Sequence, residues 1–338
     1  MLATTAADER PKLGAKDREI DEAYAASVLP RRSFGAHKWG VGGLVIVGGS
    51  PGFAGALALC AMAAGRAGAG IVYVAVPHGL ASVVAIAVPE AAAVLLPQGD
   101  SAATGRRAVE LIGEKLEKSS AMVIGPGLGQ DESADSLLGA LFGFGGARGT
   151  IGFGGAGSSS LDDGGLVGRY EKPLVIDADG LNWLAKHDGW WDRLPANRAV
   201  LTPHVGEMSR LLGVAAEEIT ADPLGTTRAA AKRWRQTVVL KFGYTAVSDG
   251  ERTLVAGDAP PSLATAGTGD VLAGVIGAFL AQGVPAVDAA ALAIHVGTRA
   301  ARRVESRTGT LGLVAGDLPL AIAAELALLE MREGASSG

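Results

Sequence analysis

Short apolar runs recur along this chain, and each stops at glycine, proline or a polar group. Residues 44–47 read Leu-Val-Ile-Val and run into Gly48-Gly49-Ser50. Residues 71–76 stop at Pro77, and residues 122–124 stop at Gly125-Pro126-Gly127-Leu128-Gly129. Residues 174–176 lead into Asp177-Ala178-Asp179-Gly180, residues 199–201 into Thr202-Pro203-His204, and residues 238–240 into Lys241. Runs this short and continuous fit strands buried on both faces. Segments of helical length lie between them, at 54–67, 104–117, 133–141, 205–212 and 224–234. Three more close the chain, at 270–281, 287–303 and 318–331. This alternation specifies an α/β fold with a mostly parallel central sheet. Residues 245–247 and 252–255, joined through Asp249-Gly250, read as an antiparallel hairpin at a mixed edge.

No linker separates two cores, so one large domain is expected over 37–332. Residues 1–36 read as an N-terminal arm with one short helix at 17–28, ended by Pro30. Residues 143–170 break the pattern with a Gly/Ser-rich stretch, which reads as a flexible surface insert. A lid over the active site is the sharper alternative.

Composition narrows the function. Glycine is 50 of 338 residues, about twice the usual share near 7%. That excess marks either disorder or many tight turns, and 48% apolar content excludes disorder for most of the chain. Cys60 is the sole cysteine, which excludes an intrachain disulfide and a cysteine-based zinc site. A net charge of −5 argues against a nucleic-acid partner. No uncharged apolar run reaches the ~20 residues that span a bilayer, so no membrane partner is expected. The mixed charges of residues 8–17 fit neither a signal nor a transit peptide. A soluble cytoplasmic protein is the expectation.

In an open parallel sheet, ligands bind outside the carboxyl ends of the strands. The polar and glycine-rich turns above all sit there. The most informative segment is Ala264-Thr265-Ala266-Gly267-Thr268-Gly269-Asp270. Its small residues let backbone approach a ligand, and the following helix N-terminus offers N–H donors to phosphate. Asp270 could act as general base for a hydroxyl attacking phosphorus, or simply cap the helix. Neither GxxxxGK[ST] nor a GxGxxG after the first strand occurs, which disfavours a P-loop enzyme and a standard Rossmann dehydrogenase.

The string Ala266-Gly267-Thr268-Gly269-Asp270-Val271-Leu272-Ala273-Gly274 resembles the anion-hole motif of ribokinase-like enzymes. Further motifs narrow the likeness. They are residues 45–50 with Ala54-Gly55-Ala56, residues 66–72, Val88-Pro89-Glu90, Gly125 to Gly129, Asp177 to Asn182, and residues 202–211. In this order they resemble the ADP-dependent NAD(P)H-hydrate dehydratases, over roughly residues 30–331 apart from the insert.

The resemblance implies a ribokinase-like three-layer α/β/α sandwich. It implies dehydration of (S)-NADHX and NADPHX to NADH and NADPH: the ring hydroxyl is phosphorylated and phosphate is then eliminated. ADP, or ATP, would be the donor, with Mg2+. Asp270 would be catalytic and would touch substrate. Lys241, Phe242, Gly243, Tyr244 and Thr245, with Gly267, Thr268 and Gly269, would bind nucleotide. Ala56, Gly127, Gly129 and His204 would bind substrate. Glu207 would hold magnesium through water, or cap the following helix. Asp177, Asp179 and Asn182 would be rim groups, through ligand contact or buried hydrogen bonding. Assembly as a homo-oligomer, a tetramer, is implied as well. The alternative is a ribokinase-like kinase of a small vitamin precursor or another hydroxylated metabolite, which shares the Gly-Thr-Gly-Asp chemistry. Thr202 to Glu207 and Asp177 to Asn182 speak for the dehydratase.

Overall fold

A computed structural model describes residues 13–14, 17–144 and 165–336. Its ten strands are β1 (Asp17–Glu19), β2 (Gly43–Val47), β3 (Ile71–Pro77), β4 (Ala92–Leu96), β5 (Ala121–Ile124), β6 (Leu174–Ile176), β7 (Ala199–Leu201), β8 (Thr237–Lys241), β9 (Tyr244–Ser248) and β10 (Thr253–Asp258). They form one sheet in the order β1-β10-β9-β8-β7-β6-β5-β2-β3-β4. Only β9 runs antiparallel to its neighbours.

The strands sort their side chains by twos, as a pleated sheet must. Leu44 and Ile46 join the core on one face, while Val45 and Val47 join the core on the other. In β5, Val123 faces the first core, and Met122 and Ile124 face the second. Helices Ala54–Arg66, Thr268–Ala281 and Ala286–Thr308 cover the first face. Helices Ala102–Leu116, Glu132–Phe142 and Pro223–Trp234 cover the second. The result is the expected three-layer α/β/α sandwich.

Helices Ala54–Arg66 and Thr268–Ala281 touch backbone to backbone. A Cβ on Gly274 would stand 2.1 Å from the Cys60 carbonyl oxygen, so only glycine permits this approach. The contact fixes the position of the Gly267–Asp270 segment over the sheet.

Two expectations are corrected. Residues 17–28 are not one helix in an arm. Asp17–Glu19 is an edge strand paired in parallel with β10, and only Glu22–Ser27 is helical. Asp17 is bound by Arg228, which draws this strand onto the domain. The glycine-rich insert is shorter than its composition suggests. Gly165–Tyr170 is a helix, because Leu166 and Val167 bury against the second core. Residues 145–164, the heart of the expected insert, lie outside the described residues, so the loop and lid readings are not tested. The hairpin is as expected, with Val247 opposite Leu254.

Candidate active site

The chain first builds β2, β3 and β4 in one direction, then places β5 on the other side of β2. That reversal opens a crevice at the carboxyl ends of β2 and β5. Two glycine turns line it. The Gly49 N–H donates to the Pro126 carbonyl at 2.9 Å, and the Ser50 hydroxyl donates to the Gly127 carbonyl at 2.9 Å. Gly127 has φ +60, and a Cβ there would stand 2.4 Å from the Phe53 carbonyl oxygen and 3.0 Å from Ala56 Cβ. Ala56, Gly127 and Gly129 therefore share one wall. Asp179 holds that wall in place by accepting from the Gly129 N–H at 2.8 Å.

Beyond β5, successive strand ends deliver charge. Asp177, at the end of β6, is buried and accepts from the Thr202 hydroxyl at 2.6 Å. Lys241, at the end of β8, donates to the same Asp177 oxygen at 3.1 Å. The Lys241 N–H also donates to the Pro203 carbonyl at 2.9 Å, which ties the end of β8 to the end of β7. Burial works against the Lys241 ammonium, but Asp177, Glu207 and Asp270 outweigh it and hold its pKa above the usual lysine value. It stays a cation.

Over this pair lies the N-terminus of helix Thr268–Ala281. Gly267, with φ +91, turns the chain into the helix. The Thr268 hydroxyl donates to the Leu263 and Thr265 carbonyls, both at 2.9 Å, which locks the loop. The Thr268 N–H goes to Thr265, and helical bonding starts with Val271 N–H to Gly267. The Gly269 and Asp270 N–H groups thus have no acceptor in the helix and are open to an anion. Asp270 sits in the first turn, and its pKa is pushed up to about 7. Burial is the main cause, followed by repulsion from Asp177. Lys241 opposes the rise, and Asp179 and Glu207 add to it. Asp270 does not cap its helix: the N-cap is Gly267, without a side-chain bond. A carboxyl poised near neutrality beside open N–H donors can take a proton from a hydroxyl and leave the product anion bound.

A cavity of about 540 Å3 opens beside this turn. Lys241, Phe242, Gly243, Thr245, Thr268 and Gly269 line it, as does His204. Pro260, Leu263, Leu272, Ile294 and Leu318 make an apolar wall. A charged floor under an apolar wall suits a nucleotide, with phosphates on the first and base on the second. Tyr244 is not there: it packs with Leu224, Ala246 and Val255, because neighbouring residues of β9 face opposite ways. The sequence did not point to Gly297, Thr298, Leu318 or Ile322, which also line the cavity. The one available signal was helical spacing, which sets Ala293 with Gly297 and Ile294 with Thr298 on one face.

His204 and Glu207 have local duties. The His204 ring Nδ1 accepts from the Gly206 and Glu207 N–H groups at 3.0 and 3.3 Å, and Glu207 accepts from the His204 N–H at 2.9 Å. This reciprocal cap begins helix Val205–Leu212. Burial, then Lys241 and Arg210, lower the His204 pKa, so the ring is neutral with its proton on Nε2. The imidazole is about half exposed, and Nε2 lies 3.6 Å from Glu207. Burial raises the Glu207 pKa, partly offset by Lys241. Asn182 accepts from Arg210 at 3.0 Å, which is a structural bond. Among the described residues, no three His, Cys, Asp or Glu side chains converge as a metal-binding group.

Known proteins share this plan. The family model described as NAD(P)H-hydrate dehydratase matches residues 44–144 and 165–323. The chain is 35% identical over 305 residues to a bifunctional NAD(P)H-hydrate repair enzyme of Moorella thermoacetica, covering 89% of this chain and 52% of that protein. It thus spans about half the length of such bifunctional relatives. It is 33% identical over 296 residues to an ADP-dependent (S)-NAD(P)H-hydrate dehydratase of Neisseria meningitidis, covering 86% of this chain and 87% of that one. A ribokinase-like superfamily protein of Enterococcus faecalis has the same fold, with a TM-score of 0.76 and 20% identity over 95% of this chain and 99% of that one. With the family model matching both sides of the insert, over residues 44–144 and 165–323, this chain belongs to the NAD(P)H-hydrate dehydratase family.

Proposed function

We propose that this protein converts (S)-NADHX and NADPHX to NADH and NADPH, with ADP as phosphoryl donor. The observation that carries the reading is Asp270, a carboxyl with a pKa near 7 in the first turn of a helix whose open N–H groups border a nucleotide-sized cavity.

Hydroxide is a poor leaving group, so the ring hydroxyl must first be esterified. Asp270 takes its proton as the oxygen attacks the β-phosphorus of ADP. An O–P bond forms and AMP leaves. The Gly269 and Asp270 N–H groups and Lys241 hold charge that builds on the phosphoryl oxygens. The ring nitrogen's lone pair then expels phosphate by breaking the C–O bond. Loss of a proton from the adjacent carbon restores the double bond. Phe242, Gly243, Thr245, Gly267 and Thr268 shape the nucleotide side, and Ala56, Gly127, Gly129 and His204 the substrate side. Tyr244 supports that loop from behind.

Among the described residues, Glu207 has one carboxylate oxygen without a hydrogen-bond partner, a hard donor that fits Mg2+ through water. When bound, Mg2+ supplies neutralisation of phosphoryl charge. ATP in place of ADP, a 37–332 catalytic unit, a cytoplasmic setting without nucleic-acid or membrane partners, and assembly as a homo-oligomer, a tetramer, belong to the same proposal. The exposed Val83, Ile86 and Leu95, beside and on edge strand β4, support the assembly. No helix among the described residues is long and apolar enough to cross a membrane.

The test is to incubate the protein with NADHX and either ADP or ATP and follow NADH absorbance. NADH with ADP supports the proposal, and none with either nucleotide refutes it.

A further inference from the structure

The chain bends tightly just before the helix that carries Asp270, and hydrogen bonds in series hold the bend. Pro260, Pro261, Leu263 and Ala264 line the cavity. Ser262 is turned instead onto helix Ala286–Thr308, where its N–H donates to the Glu305 carboxylate at 3.3 Å. The Ser262 carbonyl accepts from the Thr265 hydroxyl at 2.8 Å. The Thr265 carbonyl in turn accepts from the Thr268 hydroxyl at 2.9 Å. The next two N–H groups along the chain are those of Gly269 and Asp270, the open donors at the helix N-terminus. Ser262 is 2% exposed and its hydroxyl has no partner among the described residues, so its backbone, not its side chain, carries the link.

Glu305 lies outside the cavity. It sits in the last turn of its helix, where a carboxylate meets the negative end of the helix dipole. The helix itself therefore gains nothing from it. Its position does serve the bend. Glu305 follows Thr298 by about two turns, which puts the two on one face of the helix. The helix that presents Ile294 and Thr298 to the cavity thus also grips the opposite wall through Ser262.

We propose that Glu305 is a positioning residue for phosphoryl transfer: it holds Ser262 and thereby aims, through Thr265 and Thr268, the Gly269 and Asp270 N–H groups at the transferring phosphoryl group. The inference rests on the dehydratase reading and adds to its machinery a residue that touches neither nucleotide nor substrate. Donors stabilise developing charge only when they are already in place, and a misplacement of about 1 Å can cost on the order of 10²-fold in rate.

The test follows NADH formation from NADHX and ADP. Glu305→Ala should lower kcat at least about tenfold and raise the KM for ADP. The KM for NADHX should not move, because Ala56, Gly127 and Gly129 stand on other elements. Glu305→Gln keeps an acceptor oxygen at the same reach and should restore kcat. Thr265→Val breaks the next link and should also lower kcat, while Thr265→Ser, which keeps the hydroxyl, should not. Bonds in series fail together, so Glu305→Ala combined with Thr265→Val should lose about as much as the worse single variant. Should Glu305→Ala fail to fold, the two Thr265 variants decide, and equal kcat in both overturns the inference. Wild-type kcat in Glu305→Ala overturns it, as does a loss that Glu305→Gln does not restore, or a double loss equal to the product of the single losses. Each of these leaves the dehydratase reading intact, since the wild type still makes NADH. No NADH from the wild type overturns that reading, and the role of Glu305 with it.

Discussion

Lys241 Nζ and the Thr202 hydroxyl converge on one oxygen of Asp177, at 3.1 and 2.6 Å. The three residues end β8, β7 and β6, so this one carboxylate gathers three strands beneath the helix that carries Asp270. Asp177 and Lys241 pull the Asp270 pKa in opposite directions. Replacing either therefore moves the acid limb of the rate. Asp177→Asn removes a repelling charge and shifts the limb below pH 7. Lys241→Met removes an attracting charge and shifts it above pH 7, with a raised KM for ADP. A pH profile of kcat/KM for the two variants reads both signs.

Asp270→Asn should lose about 10²–10⁴-fold in kcat, the range of a general base, and still bind nucleotide. Its stability effect has a definite sign. The folded-state pKa, about 7, lies above the ordinary aspartate value of 3.8. Between those values the folded chain binds more protons than the unfolded one, so stability falls as pH rises. Asp270→Asn should thus unfold at a higher temperature than wild type above pH 7. The advantage should vanish near pH 4. Denaturation scans at the two pH values check this.

His204 joins two roles that substitution can separate. His204→Ala removes a helix cap and should cost about 1 kcal/mol. His204→Asn keeps a cap acceptor and should restore stability. If the half-exposed imidazole meets substrate, both variants raise the KM for NADHX. Recovery of both stability and KM in His204→Asn would confine the residue to capping.

Gly125 should tolerate no side chain. Its φ is +122, and a Cβ would stand 1.9 Å from the Asp177 carbonyl oxygen. Gly125→Ala should destabilise by more than about 2 kcal/mol, through strain and displacement of Asp177. Gly65, with nothing within 4 Å of its Cβ position, is the control. Gly65→Ala should be neutral or stabilising by up to about 1 kcal/mol. Urea unfolding compares them.

The sheet was legible because its strands are continuous apolar runs whose ends carry the chemistry, as in Ile176 to Asp177 and Leu240 to Lys241. Asp270 was legible by the same logic, since small residues before a helix mark an anion site. Three features were hidden. Asp17–Glu19 is charged and becomes a strand only because β10 and Arg228 hold it. Tyr244 sits between Gly243 and Thr245, which line the cavity, yet strand alternation turns it into a separate cluster. Leu318 and Ile322 reach the cavity only through the packing of the last helix, which no local pattern encodes.

The central claim is that Asp270 and its helix N-terminus drive phosphorylation followed by elimination. Its most direct test is the product balance with NADHX and ADP. The account predicts NADH, AMP and inorganic phosphate in equal amounts, all lost together in Asp270→Asn. A stable phosphate ester that accumulates without NADH, or NADH formed without AMP, would contradict it.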